Sequence, residues 1–226
     1  MKEFKIKSFV KRVGRLTKFQ QNAIDNILPK HTLSTKYDRQ LDLKKIFNNN
    51  NQIHLEIGIG NGEALIDMAL ANPNINYIGI EVHDPGIGHT LIQIDDLQLT
   101  NIKLAHHDAT EVIKLIPSSS LSRVMLFFPD PWHKKKHNKR RIIRSDFMNE
   151  IIRCLQISGV FHMATDWQDY AEQALKQINS ETRLNNLDPN QSYLPRPSWR
   201  TLTKFEKRGH RLGHGVWDMM WKKTTI

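Results

Sequence analysis

The chain has 226 residues, 39% of them hydrophobic, which suits one sizeable domain with a filled core and leaves two full domains cramped. Its 33 Lys and Arg against 23 Asp and Glu give a net charge of +10, which favours a polyanionic partner such as nucleic acid, with an anionic membrane surface as the competing reading. No apolar run approaches the roughly 18 residues of a spanning helix, and MKEFKIKSFVKRVGRL lacks the hydrophobic core of a signal peptide, so a soluble, cytoplasmic protein is expected.

Residues 1–35 are basic and only weakly periodic, with Lys11, Arg12, Arg15 and Lys18 close together. They read as an N-terminal arm ahead of a single folded domain spanning 36–226. A short helical pattern covers YDRQLDLKKIF, and the asparagines 48–51 form a polar turn. From residue 53 the pattern alternates. IHLEIG is a strand, GEALIDMALAN a helix with Ala64, Leu65, Met68 and Ala69 on one face, and NYIGIEV a strand again. A helical stretch follows near 86–98, then NIKLAHHDA as strand and loop, SRVMLFF as a buried strand, and a helix opening near Ser145. GVFHMATD makes a further strand, and Trp167, Tyr170, Ala171, Ala174, Leu175 and Ile178 mark one more amphipathic helix. Short apolar strands alternating with helices imply an α/β fold, a doubly wound, mostly parallel Rossmann-like sheet with helices on both faces. Such sheets bind ligands beyond the carboxyl ends of their strands.

Four acidic residues fall at such ends. Glu56 precedes a turn in which Gly58, Gly60 and Gly62 lead into a helix, a GxGxG spacing that differs from the GxGxxG of pyrophosphate binders. Glu81 closes the second strand about 20 residues on, where an acidic side chain accepts from ribose hydroxyls in doubly wound folds. Asp108 follows the third strand, where an adenine amino group could be met, and Asp130 the fourth. Each alone is as easily a helix cap or a solvated carboxylate. Together, with no partner for a pyrophosphate, they fit a ligand with one ribose, one adenine and a positive tail, and S-adenosylmethionine fits better than a dinucleotide.

Asp130 lies in FFPDPWHKKKHNKRR, between Pro129 and Pro131, which restrict the backbone, and beside Trp132, a candidate stacking face. Six Lys or Arg and two His follow within nine residues, a run suited to phosphates or, more plainly, to a solvated helix face. The single cysteine, Cys154, sits on a helical stripe with Phe147, Ile151 and Leu155 and reads as packing. His133/His137 and His210/His214 repeat at i, i+4, but without the HExxH glutamate and among basic neighbours no metal site is expected.

LEIGIGNGE, GIEVHDPGIG, FFPDPWHKKKHNKRR, ATDW and TKFEKRGHRLGHGVWD, with FVKRVGRLTKFQQ near the start, resemble the bacterial tRNA (guanine-N7-)-methyltransferase family. The resemblance implies the class I S-adenosylmethionine-dependent methyltransferase fold, tRNA as partner and the variable-loop guanosine as target. It implies that Glu56, Gly58, Gly60, Glu81, Asp108 and Asp130 contact S-adenosylmethionine or line its pocket, with Asp130 catalytic. Lys134, Asp166, Thr203, Lys204, Phe205 and Glu206 would meet the substrate, although Thr203 and Glu206 also fit a capping box and Asp166 a helix cap. Lys136, His137, Asn138, Lys139, Arg140 and Arg141 would lie against tRNA. Monomer and homodimer are both open. The rival readings are a methyltransferase with another acceptor, a nucleotide-dependent oxidoreductase, and a non-catalytic tRNA-binding partner protein with a vestigial pocket.

Overall fold

The computed structural model describes residues 7–10, 15–33, 40–202, 206 and 215–224. Eight α-helices and seven strands follow in the order α1 (Lys18–Asn26), α2 (Leu28–His31), α3 (Leu43–Phe47), β1 (Gln52–Ile57), α4 (Glu63–Ala71), β2 (Ile75–Glu81), α5 (Asp84–Asp96), β3 (Ile102–His106), α6 (Ala109–Leu115), β4 (Leu121–Phe127), α7 (Ser145–Cys154), β5 (Leu155–Thr165), α8 (Gln168–Asn179), β6 (Leu184–Asn186) and β7 (Trp217–Lys223) among the described residues. A 3₁₀ turn spans Lys135–Arg140. The strands form one sheet in the order β3-β2-β1-β4-β5-β7-β6. β1 to β5 are parallel, and β7 runs antiparallel to both β5 and β6.

The apolar strands are apolar because both faces are covered, and their period of two divides the core. Leu55, Ile78, Ile80, Val124 and Leu126 join a layer with α3, α6, α7 and α8, whereas Tyr77, Leu104, Met125 and Phe127 join the opposite layer with α1, α4 and α5. Cys154 is fully buried in the first layer, and burial pushes its thiol up to about 12, so it serves packing and holds no nucleophile. The order of strands reverses between β1 and β4, and the loops after those strands therefore diverge to leave a crevice.

Three elements go beyond the sequence expectation. Residues 15–33, read as part of an arm, fold onto the sheet. Thr17 and Gln20 form a capping box for α1, with Gln20 N donating to Thr17 Oγ1 at 3.2 Å and Thr17 N to Gln20 Oε1 at 3.0 Å. That helix lies so close to α5 that a Cβ on Gly88 would stand 2.7 Å from Gln20 Cβ, and Leu33 N donates to Leu104 O at 2.7 Å on the sheet edge. Ala23 is the residue of α1 that is fully buried. Helix α6 covers a stretch that, beyond Ala109, had no element assigned from the sequence; Asp108 starts it, its carboxylate accepting from Thr110 N at 2.9 Å. The antiparallel pair β6/β7 was not foreseen, since its partner β5 lies more than fifty residues before β7.

Candidate active site

The crevice at the switch point is a cavity of about 660 Å³, and its walls include Gly58, Gly60, Glu81, Asp108 and Asp130. Five residues from four strand ends, separated by 72 positions in sequence, thus face one space.

Its floor is the glycine turn. Gly58, Gly60 and Gly62 have φ of 75°, 55° and 79°, a region that L side chains rarely adopt. A Cβ on Gly58 or Gly60 would meet nothing within 4 Å, so both face open space, whereas one on Gly62 would strike Thr90 Oγ1 at 2.3 Å. The first two glycines leave room beside the turn and the third allows close packing of α4 on α5. Glu81 braces the turn: Gly60 N donates to its Oε2 at 2.9 Å, and Val82 N and His83 N donate to its Oε1 at 2.7 and 3.0 Å. Asp108 lines the cavity and caps α6 at once, so the capping reading and the ligand-facing one coexist.

Glu56 is not on the wall. It lies behind the turn, 3% exposed, with Oε2 lacking any partner. Burial, aided by the charge of Glu81, pushes its carboxyl up to about 8 from 4.5. Folding therefore takes up a proton between those two values, and the native state loses stability as pH rises through that window. Between pH 5 and 8 the loss amounts to roughly 3 kcal/mol. Glu56→Gln is expected to remove this slope, so its melting temperature should gain on that of the unaltered protein as pH rises from 5 to 8. Melting curves that stay parallel across that range would show that Glu56 folds in its ionised form.

Asp130 is exposed on a turn held stiffly from both sides. Phe128 and Trp132 flank the Pro129-Asp130-Pro131 tripeptide with φ of 49° and 50°, an arrangement that costs of order 1–3 kcal/mol per residue and persists only under outside constraint. The constraint is visible. Phe128 N donates to Ala164 O at 2.8 Å, tying the turn to β5. Arg141 Nε donates to Pro131 O at 2.8 Å, while its Nη2 reaches Asp169 Oδ2 at 2.5 Å and its Nη1 bonds Gln173 Oε1. The guanidinium also lies over the Tyr170 ring, 4.7 Å from its centroid.

This corrects the expectation for Arg141. It was grouped with the tRNA-facing run, but it is 1% exposed and clamps the Asp130 turn to α8. Of its neighbours, Lys134, Lys135, Lys136 and Lys139 are exposed, while His137, Asn138 and Arg140 are half-buried. Trp132 is off the cavity wall: the Arg140 guanidinium lies over its ring at 4.1 Å and its Nε1 donates to Ser8 O at 3.1 Å. Arg140 Nε in turn donates to Lys7 O at 3.2 Å, and Ser8, Phe9 and Val10 line the cavity.

Lys134 and Asp166 lie at the ends of the loop after β4 and of β5, off the cavity wall. Thr203, Lys204, Phe205, His210 and His214 fall outside the described residues, as do Lys11 and Arg12. Glu206, expected to meet RNA, is instead 2% exposed, with both carboxylate oxygens on Arg200 at 2.7 and 2.8 Å. Arg200 also grips Asp218 of β7, and Asp218 Oδ1 lies 2.7 Å from His162 Nε2 of β5. Sequence reasoning missed this buried cluster, and missed that Trp167, counted on the buried stripe of α8, precedes that helix and is 37% exposed. Among the described residues no group of three or more His, Cys, Asp or Glu is placed to hold a metal ion, and no helix is long and apolar enough to cross a membrane.

Comparison with known proteins gives the family. Residues 50–219 match the model of a family described as "Putative methyltransferase". A Pseudoalteromonas translucida protein named tRNA (guanine-N(7)-)-methyltransferase is 50% identical over 220 residues, 97% of this chain and 91% of its own length. At 13% identity the fold is shared with the 16S rRNA methyltransferase KamB, at a TM-score of 0.60 over 86% of this chain and 99% of that one. It is shared also with a Streptococcus mutans protein solved in complex with SAH, at a TM-score of 0.51 over 83% and 99%. A family match over three quarters of the sequence, and half identity to a near full-length relative, place the chain in the methyltransferase family that includes the tRNA (guanine-N(7)-)-methyltransferases.

Proposed function

We propose that this protein methylates N7 of the variable-loop guanosine of tRNA, with S-adenosylmethionine as methyl donor. The observation that carries the reading is one cavity walled by a glycine turn and the carboxylates of Glu81, Asp108 and Asp130, with the exposed lysines 134, 135, 136 and 139 on the loop between its lining residues Asp130 and Ile142. The residues fit such a cofactor. Gly58 and Gly60 leave open space where a Cβ would stand, three carboxylates suit a ligand with hydroxyls and positive charge, and the partnerless Oε2 of Glu56 lies behind the turn. Glu81, Asp108 and the backbone at Gly58 and Gly60 are the groups to hold it. When bound, it supplies an electrophilic methyl group on a sulfonium.

Guanine N7 carries a lone pair and no proton, so the chain needs no general base. Its task is alignment, which can supply roughly 7–11 kcal/mol for well-oriented reactants. The stiff turn holds Asp130 in one orientation, where its carboxylate favours the positive charge that develops on the purine. A cation aimed at N7 would occupy the lone pair that must react. Lys134 therefore suits the neighbouring O6. Lys136 and Lys139 suit phosphates and set the register of the RNA over the cavity.

The test is methyl transfer from labelled S-adenosylmethionine to unmodified tRNA carrying guanosine or adenosine at the target, with the product mapped by cleavage at 7-methylguanosine. Label is expected only with guanosine and only at that site. Asp130→Ala should slow transfer by roughly 10²–10³-fold while tRNA affinity stays within a few-fold. Binding of tRNA with no transfer and no affinity for S-adenosylmethionine would leave a binding protein in place of an enzyme.

A further inference from the structure

N7 of a purine faces the major groove, which in A-form RNA is deep, narrow and closed to side chains. An enzyme working there takes the base out of its stack, and the lost stacking is best offset by a new aromatic face. Trp132 is half-buried, with the Arg140 guanidinium over its ring and its Nε1 bonded to Ser8 O. A second aromatic pair is more exposed. His133, three residues after Asp130, and Trp167, the residue after Asp166, stack with ring centroids 4.1 Å apart and planes at 11°. The two rings come from the loops after β4 and β5, neighbouring strands of the sheet, and both are exposed, Trp167 by 37%.

Burial does not account for this pair, since neither ring is in the core. Stacking on each other leaves each ring one outer face. The backbone holds Trp167 in place, with its N–H donating to Thr165 Oγ1 at 3.2 Å at the end of β5. The platform also lies next in sequence to Lys134 and Asp166, and three residues from Asp130. Lys134, Asp166 and Asp130 therefore belong to the same two loops as the platform.

We propose that the His133–Trp167 pair is the stacking platform for the extruded target guanine, a binding site for a nucleobase formed jointly by the β4 and β5 loops. This rests on the reading of the chain as a tRNA guanine-N7 methyltransferase. Trp167 is a substrate-touching residue and His133 positions it from behind.

Two measurements test it, both on the full chain. In the first, tRNA carries 2-aminopurine at the target position, and its fluorescence is followed on addition of the protein. Stacking on Trp167 quenches the extruded base, so the unaltered protein and Trp167→Phe should give a quenched signal, and Trp167→Ala a bright one at equal tRNA occupancy. In the second, Trp167→Ala should lower kcat/KM for tRNA about tenfold or more, the range set by loss of one base–aromatic contact. Trp167→Phe should restore it to within about threefold, and affinity for S-adenosylmethionine and the melting temperature should not move. Equal quenching in Trp167→Ala, or kcat/KM unchanged by that substitution, overturns the platform. Because the fluorescence needs no methyl transfer, it reads the platform even if the unaltered protein fails to methylate tRNA, an outcome that removes the function reading alone.

Discussion

Arg200→Ala is expected to destabilise the protein by about 3–5 kcal/mol, the usual loss when one partner of a buried ion pair is removed. The guanidinium donates to Asp218 Oδ1 and Oδ2 at 2.8 Å each and to Glu206 Oε2 and Oε1 at 2.7 and 2.8 Å, and all three side chains are 2% exposed or less. Without it the buried carboxylates of Glu206 and Asp218 lose these four hydrogen bonds, and Asp218 keeps its contact with His162 of β5. For a chain of this size the melting temperature should fall by roughly 6–20 °C. The deficit should shrink as pH is lowered, because carboxylates that have lost the guanidinium can then take up protons. Arg200→Lys, which keeps the charge but loses the fork, should fall between the two. A melting temperature within about 2 °C of the unaltered protein would mean that the cluster adds little to the fold. The same cluster explains why Glu206 belongs to the frame: Arg200 joins it to Asp218 of β7, and Asp218 joins His162 of β5.

Arg141→Met is expected to reduce methyl transfer by about a hundredfold, since a misplacement near 1 Å at a reacting group costs that much. Methionine roughly keeps the apolar volume of the stem but donates nothing to Pro131 O, so the strained turn between Phe128 and Trp132 loses its hold on α8. Affinity for tRNA should stay within a few-fold, because the side chain is buried and touches no solvent-facing groove. Lys136→Glu with Lys139→Glu is the contrasting case. Those lysines are exposed, and their reversal should weaken binding and flatten its salt dependence by up to about 0.9 log units of slope per lost phosphate contact. Dissociation constants at two salt concentrations, beside single-turnover rates, separate the two effects. Should Arg141→Met flatten the salt slope at normal turnover, Arg141 returns to the RNA face.

Arg140 and Arg141 are adjacent and identical in type, yet one lies half-exposed over an indole and the other sits in the core with two hydrogen-bonding side chains from α8. Nothing in KRR distinguishes them. A charge enters the interior only where partners are waiting, and Asp169 and Gln173 are 28 and 32 positions away. Glu206 is the same case, buried against an arginine six residues back that also holds Asp218 of β7. Trp167 is the converse: its spacing fits the buried stripe of α8, but the helix begins one residue later and the ring turns outward.

What the sequence by itself determined was the alternation of strands and helices from residue 53 to 178, the glycine turn, and the acidic residues at the strand ends that line the cavity. Those features are local: periods of two and 3.6 report which face is buried, and a strand end followed by glycine reports a turn beside a ligand edge. Only the tertiary structure decided that residues 15–33 fold onto α5 and β3, that β7 enters antiparallel between β5 and β6, and which charged and aromatic side chains face inward. These depend on partners far along the chain, because pairing across a sheet and the burial of a charge are set by what the rest of the fold brings alongside.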